Sequence, residues 1–350
     1  MKRIAVVSLV LAGLWCLTSV AGAASAADPS GSLAKLEQVE LAPLDVESLL
    51  AEDTVRELDG LAPRFAVPHP TLITPDTDGT WDTSEPGLHV WRLRITSPGA
   101  LSLNLGFRGY FMPPGGELQI GSADGRERLR PFTAADNADH GELWTPVVLS
   151  DDIVLEARVP SAYVARLQLE LSSINVGYRG FGELAKAGSC NIDVVCPAGD
   201  NWQDQIKSVG VISTGGSTFC TGFLVNNTAE DRKPYFMTAR HCGVTSSNAA
   251  SLVVYWNFQS PNCGQQGGGS LSQFSTGSLF RSANAASDFT LVELTQSPQP
   301  NFDVVYAGWD RSDAVPTAAI AVHHPNTDEK SISFEYDALQ VTSYLGTSSP

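Results

Sequence analysis

Between residues 81 and 178 the apolar side chains recur at every second position, the pattern that most restricts what this chain can become. Trp91, Leu93 and Ile95 alternate with Arg92 and Arg94. Leu101, Leu103, Leu105 and Phe107 alternate with small or polar residues, and Leu167, Leu169 and Leu171 with Gln168 and Glu170. Period two sends one set of side chains into a core and the other into water, as in half-buried strands. Pro113-Pro114-Gly115-Gly116 and Asp124-Gly125 punctuate the runs as turns. The stretch reads as a small antiparallel β-sandwich without cysteine or catalytic cluster. Composition agrees: 43% apolar against 17% charged residues, rich in Gly and Pro, suits short strands joined by turns and an all-β fold. A length of 350 residues accommodates about two folded units and a targeting segment.

Lys2 and Arg3 precede an apolar run over residues 4–17 and the small residues Ala24-Ser25-Ala26. Residues 1–26 are therefore expected to be a secretory signal peptide, its apolar core too short to span a bilayer. Cys16 is discarded with it, the protein is expected to be secreted, and no membrane contact is expected after cleavage. A formal charge of −16 without a dense run of Lys and Arg argues against nucleic-acid binding. Residues 27–80 form an acidic, Pro-rich pro-segment and linker. It contains one helix candidate over residues 45–58, with Val46, Leu49, Leu50 and Leu58 on one face, ahead of the Pro-rich residues 63–70.

The character changes near Ala187. Cys190, Cys196, Cys220, Cys242 and Cys263 follow a long stretch with no cysteine since Cys16. In an exported protein these are disulfide partners, and the absence of paired C-x-x-C knuckles argues against zinc. Five is odd, so one partner is missing. Strand candidates cover 208–212, 221–225, 235–238, 252–258 and 289–294, and the Gly/Ser/Gln-rich residues 264–278 read as a flexible loop. His241 follows a strand and directly precedes Cys242, and Cys242 lies 22 positions after Cys220. A disulfide there would fix the turn that carries the imidazole, which suits a general base. Asp288 opens the apolar run Phe289-Thr290-Leu291-Val292, where its carboxylate can accept the imidazole Nδ1 proton. Alone, the histidine is weak evidence and the aspartate reads as a strand-end turn residue. Together, in the order His then Asp, they follow the order of chymotrypsin-like enzymes, whose serine comes last.

From Gly188 onward a series of motifs occurs in order: Gly188-Ser189-Cys190-Asn191-Ile192-Asp193-Val194-Val195-Cys196-Pro197, Leu224-Val225-Asn226-Asn227-Thr228, Thr238-Ala239-Arg240-His241-Cys242, Val253-Val254-Tyr255-Trp256-Asn257, Ser287-Asp288-Phe289-Thr290-Leu291, Ala307-Gly308-Trp309-Asp310 and His323-His324-Pro325-Asn326. In these motifs the chain resembles the secreted bacterial lysyl endopeptidases of the chymotrypsin-like fold. The resemblance implies a double β-barrel with the cleft between the barrels, His241 as general base and then general acid, and Asp288 as its orienter. It also implies the disulfides Cys220 to Cys242 and Cys196 to Cys263. Cys190 would pair with a cysteine in the C-terminal part of the family pattern, which these residues do not include. The same holds for the Gly-x-Ser-Gly loop that supplies nucleophile and oxyanion hole, and for the acidic residue that sets lysine preference. The expectation is a precursor truncated before the catalytic serine, its second barrel only begun, and inactive as it stands. Ser349 lacks the following glycine and is not taken as a nucleophile. Arg240 replaces the uncharged or imidazole side chain usual before the catalytic histidine. His323 and His324, adjacent on a strand, point to opposite faces and read as structural, so no metal is expected. Glu293 and Asp310 read as ordinary turn or surface acids, and no cofactor is expected.

Lys186 stands immediately before Ala187, where the alternating domain ends. A lysine-specific enzyme acting on polypeptide substrates would cut itself between them, releasing residues 27–186 as a propeptide that assists folding or covers the cleft. Residues 81–186 are then a β-sandwich-like pro-domain and residues 187–350 the protease domain. The competing expectation is a secreted, non-catalytic binding or inhibitory β-protein retaining a truncated protease-like domain, in which Trp81, Trp91 and Trp144 of the first domain line a carbohydrate site instead of a core.

Overall fold

The computed structural model describes residues 35–180, 191–265, 267–312 and 314–340, and the backbone of residues 343–344 and 347–348. Its first unit contains β1 (Gln38–Glu40), α1 (Val46–Leu58), β2 (Ala66–Ile73), β3 (Thr80–Asp82), β4 (Leu88–Thr96), β5 (Ser102–Phe111), β6 (Glu117–Ser122), β7 (Phe132–Thr133), β8 (Leu143–Trp144), β9 (Asp152–Pro160) and β10 (Gln168–Gly177). One sheet runs β1-β4-β9-β6-β7 with β3 on β4, and the facing sheet runs β2-β10-β5-β8. The alternation explains the packing. Leu93, Ile95, Leu103, Leu105, Phe107, Leu155, Leu169 and Leu171 meet in one core. On the outer side Arg92 pairs with Glu156 (2.6 Å) and Arg94 with Asp152 (2.7 Å), each across or diagonally across β4 and β9. Trp91 and Trp144 are buried in the core, and Trp81 packs partly buried against it, with its indole N–H held by the Pro75 carbonyl. The sequence alone left them divided between core and carbohydrate platform; Trp91 and Trp144 are core.

Two features of residues 27–80 differ from the expected linker. Pro68 and Pro70 lie inside β2, paired with Asn175 and Ser173 of β10. β2 is an edge strand, where a residue without an N–H is tolerated because only one side of the strand is paired. α1 forms as its pattern indicates, capped by Asp45 Oδ1 accepting from the Ser48 N–H at 3.1 Å. Its apolar residues Val46, Leu50 and Leu58 stay exposed, however, and the buried residue of the helix is Asp53, at 1% exposure. The helix docks through a charge instead of an apolar face.

The second unit contains β11 (Ile192–Asp193), α2 (Gln203–Ser208), β12 (Val209–Thr214), β13 (Thr218–Leu224), β14 (Tyr235–Ala239), β15 (Val253–Trp256), β16 (Phe274–Thr276), β17 (Ser278–Asn284), β18 (Phe289–Leu294), β19 (Ala319–His323) and β20 (Ser331–Glu335). A seven-stranded half-barrel sheet runs β16-β15-β12-β13-β14-β18-β17, and a small sheet runs β11-β20-β19. With the sandwich, this makes the all-β, chymotrypsin-like architecture implied by the resemblance. Both faces of the half-barrel are covered. Ile212, Leu224, Phe236, Val254, Trp256 and Val292 fill its own core. Val211, Phe219, Val253, Tyr255 and Phe274 point the other way and join the core of the sandwich. Strands buried on both sides read as unbroken apolar runs, as Val253-Val254-Tyr255-Trp256 does.

Polar contacts fix this docking: Asn104 Nδ2 donates to Gly216 O at 2.9 Å, and the Val147 N–H donates to Tyr255 Oη at 3.1 Å. Residues 264–278, expected to be a flexible loop, contain β16 and are pinned where the buried Glu329 carboxylate accepts from the Gly267 and Gly269 N–H groups. His323 ends β19 and bonds Asn191 through Nε2 at 3.0 Å; His324 is buried, stacks on Phe258 and bonds the Asp328 carbonyl through Nδ1 at 3.1 Å. The neighbours serve different contacts.

Candidate active site

β14 and β18 are antiparallel, with Ala239 opposite Phe289. His241 therefore leaves one end of β14 as Asp288 enters the adjoining end of β18. Sequence-distant residues meet because both lie just past the Ala239–Phe289 pair, His241 by two positions and Asp288 by one. The turn over Arg240–Cys242 closes at Gly243, whose φ of 78° lies in the left-handed region that glycine adopts without strain. Cys242 is bonded to Cys220 on β13, with Cα atoms 5.8 Å apart, so the turn is tied to the neighbouring strand. The second disulfide joins Cys196 to Cys263.

Asp288 holds the histidine from two directions. Its Oδ2 lies 2.6 Å from His241 Nδ1, and its Oδ1 accepts the His241 backbone N–H at 2.9 Å. The Asp288 carbonyl accepts from the Arg240 N–H at 3.1 Å. Asp288 adopts a φ of 47°, a left-handed conformation tolerated by aspartate, which turns its carboxylate back toward the imidazole. Partial burial opposes charge on this carboxyl, but the ring and backbone hydrogen bonds from His241 outweigh it and hold Asp288 below the usual carboxylate range. A charged acceptor at Nδ1 places the ring proton there and makes Nε2 the basic nitrogen. Both side chains remain nearly half exposed, at 45% and 47%.

A cleft of about 660 Å³ adjoins the pair, lined by Pro63, Phe219, Thr221, Ala239, His241 and His324. Cys220, His241 and Cys242 place ligand atoms within 4.8 Å of one another, but the two sulfurs are bonded to each other and offer no thiolate to a metal. Cys190, Lys186, Ala187 and Ser349 lie outside the described residues, as does the signal sequence. No local signal in the sequence singles out which residues before β2 border the cleft. Pro63 has no motif, and its place follows only from how the sandwich docks.

A histidine hydrogen-bonded to an aspartate through Nδ1, in that chain order on a half-barrel, is part of the arrangement of serine proteases of the chymotrypsin-like class. The family models agree with that class. "Lysyl endopeptidase, C-terminal domain" matches residues 184–349 and "Lysyl endopeptidase N-terminal domain" matches residues 71–175. Lysyl endopeptidase of Pseudomonas aeruginosa is 30% identical over 294 residues, which cover 74% of this chain and 61% of that relative. The chain belongs to the lysyl endopeptidase family, a family of proteases. It spans 61% of the length of this curated relative. Among the described residues no helix is long and apolar enough to cross a membrane.

Proposed function

We propose that the chain is precursor sequence of a secreted serine endopeptidase that cuts polypeptides on the carboxyl side of lysine. The observation that carries this reading is the 2.6 Å contact between His241 Nδ1 and Asp288 Oδ2 beside a cleft on the half-barrel. In the reaction His241 Nε2 takes the proton of a serine hydroxyl as its oxygen attacks the scissile carbonyl, and then gives that proton to the departing amine. Asp288 keeps the imidazole in the required tautomer and stabilises the imidazolium. Lysine preference is supported by the family and by Lys186 at the junction. Residues 1–26 direct export, and residues 27–186 assist folding of the protease unit until the bond between Lys186 and Ala187 is cut.

No Gly-x-Ser-Gly loop occurs in these 350 residues. We therefore expect background hydrolysis from this polypeptide alone, since loss of a triad nucleophile removes roughly six orders of magnitude in kcat. The test is a fluorogenic peptide amide carrying Lys, Arg or norleucine before the scissile bond. It is assayed on this chain and on the chain extended by a family segment bearing the serine loop. Turnover of the Lys substrate only by the extended chain, abolished in His241→Ala, is expected. Equal turnover of Lys and Arg substrates rejects the lysine preference, and an active His241→Ala variant rejects the base assignment. Refolding the extended protease unit with and without residues 27–186 tests the folding role, and equal yields of activity reject it.

A further inference from the structure

After α1, residues 59–65 lead into β2, and Pro63 among them lines the cleft. The Phe65 N–H donates to Ser217 O at 2.9 Å, the Phe219 N–H donates to Pro63 O at 3.1 Å, and Arg64 pairs antiparallel with Thr218. β12 occupies one edge of β13 from Thr218 onward, whereas β14 covers the other edge only over Gly222–Leu224. The start of β13 therefore has an open edge on the side that leads to His241, and residues 63–65 fill it. Leu61 and Ala62 share a small cavity with His241.

One carboxylate holds this segment in place. Asp53 of α1 accepts from Arg64 Nε at 2.8 Å and from Tyr178 Oη at 2.5 Å, and Arg179 Nη2 lies 3.1 Å away. Glu52 and Glu57 add outer contacts to Arg64 and Arg179 at 3.0 and 3.5 Å. Helix, connecting segment and the end of β10 thus converge on a group that is 1% exposed. A carboxylate removed from water is tolerable only while its cations and donors stay in place, so loss of a partner is felt locally and strongly.

We propose that Asp53 is a latch that keeps residues 59–65 seated as an inhibitory strap on the strand edge where a substrate polypeptide pairs beside His241. An extended peptide adding to an open sheet edge uses the same backbone groups of β13 that the strap now occupies, so strap and substrate exclude one another. The inhibitory meaning rests on the protease reading of His241; the latch does not.

Amide hydrogen exchange on the 350-residue chain tests it. In Asp53→Asn, the Phe65 and Phe219 amides exchange at least about tenfold faster, while those of Val254 and Trp256 in the half-barrel stay within about twofold of the parent. A labelled peptide of residues 61–67 then binds the variant and not the parent. Should Asp53→Asn lose Val254 protection as well, Arg64→Gln asks the same question without altering the carboxylate, and the same local pattern is expected. Unchanged Phe65 and Phe219 exchange in a folded variant overturns the latch, as does global loss of protection in both variants. Release without peptide binding overturns the claim that the strap fills a binding edge. Neither readout involves hydrolysis, so a failed latch and a failed protease reading register separately.

Discussion

Asp288 fixes both the position and the protonation pattern of His241, because its two oxygens hold the backbone and the ring of the same residue. Asp288→Asn keeps the shape but loses the charged acceptor. We expect the ring nitrogen shifts in a ¹⁵N NMR spectrum to change from an Nδ1-protonated imidazole to a mixture of tautomers, and retention of the parent pattern would show that the carboxylate does not set it. The Asp288 carboxyl itself should titrate below the 3.8 of a free aspartate. Its contribution to stability is thus present above that value and lost as pH falls through the lower, folded one. Lys330 shifts stability with the same sign for the opposite reason, since burial disfavours its charged form. It is fully buried, its Nζ donates to Ile206 O at 2.9 Å, and burial pushes its ammonium down to about 7. Between about 7 and the ordinary 10.5 the unfolded chain binds the proton that the folded one has released, so this group makes stability rise with pH across that window. Denaturant melts at about pH 7 and about pH 9 should show a smaller rise for Lys330→Met than for the parent, and equal rises would contradict a depressed lysine.

At the scale of elements, the tip of the β12–β13 hairpin is where the half-barrel meets the sandwich. Gly216 sits there at a φ of 67°, and a Cβ on it would lie 2.2 Å from Asn175 Nδ2 and 2.5 Å from Asn104 Oδ1. Gly216→Ala should lower stability by about 1–3 kcal/mol through overpacking and the left-handed backbone. A chemical melt measures this, and a neutral result would mean that the hairpin tip and the asparagines can move apart. The strands of the sandwich were legible because their partners alternate locally: Leu103, Leu105 and Phe107 point one way whatever lies opposite. β2 was not legible, since Pro68 and Pro70 argue against a strand until its edge position is known. The helix over Val46–Leu58 was legible in its span but not in its docking. Periodicity finds an apolar face, whereas Asp53 is buried by Tyr178, far along the chain, and by Arg64.

Across the whole molecule, the sandwich core continues into the outer face of the half-barrel through Val211, Val253, Tyr255 and Phe274. A shared core of this kind should hold without a covalent link. Cutting the bond after Lys186 with an added lysine-specific protease is therefore expected to leave the two pieces co-eluting on size exclusion. Separation into free pieces would show that the shared core does not suffice. Residues 187–350 prepared alone should bind a hydrophobic dye more strongly than the intact chain, because these apolar side chains lose their cover. Equal dye binding would mean that the half-barrel closes its own outer face.

The sequence by itself determined the all-β class, the turn that carries His241, the aspartate that opens β18 and the family to which these motifs belong. All of these rest on spacing within a few residues or on short ordered motifs. Only the tertiary structure decided that Tyr255 and Trp256, adjacent on one strand, serve two different cores. It also decided that Asp53 gathers Arg64, Tyr178 and Arg179, and that residues 63–65 lie along the start of β13. Those contacts join segments whose separation along the chain leaves no local signature, and they form only when the sandwich packs onto the half-barrel.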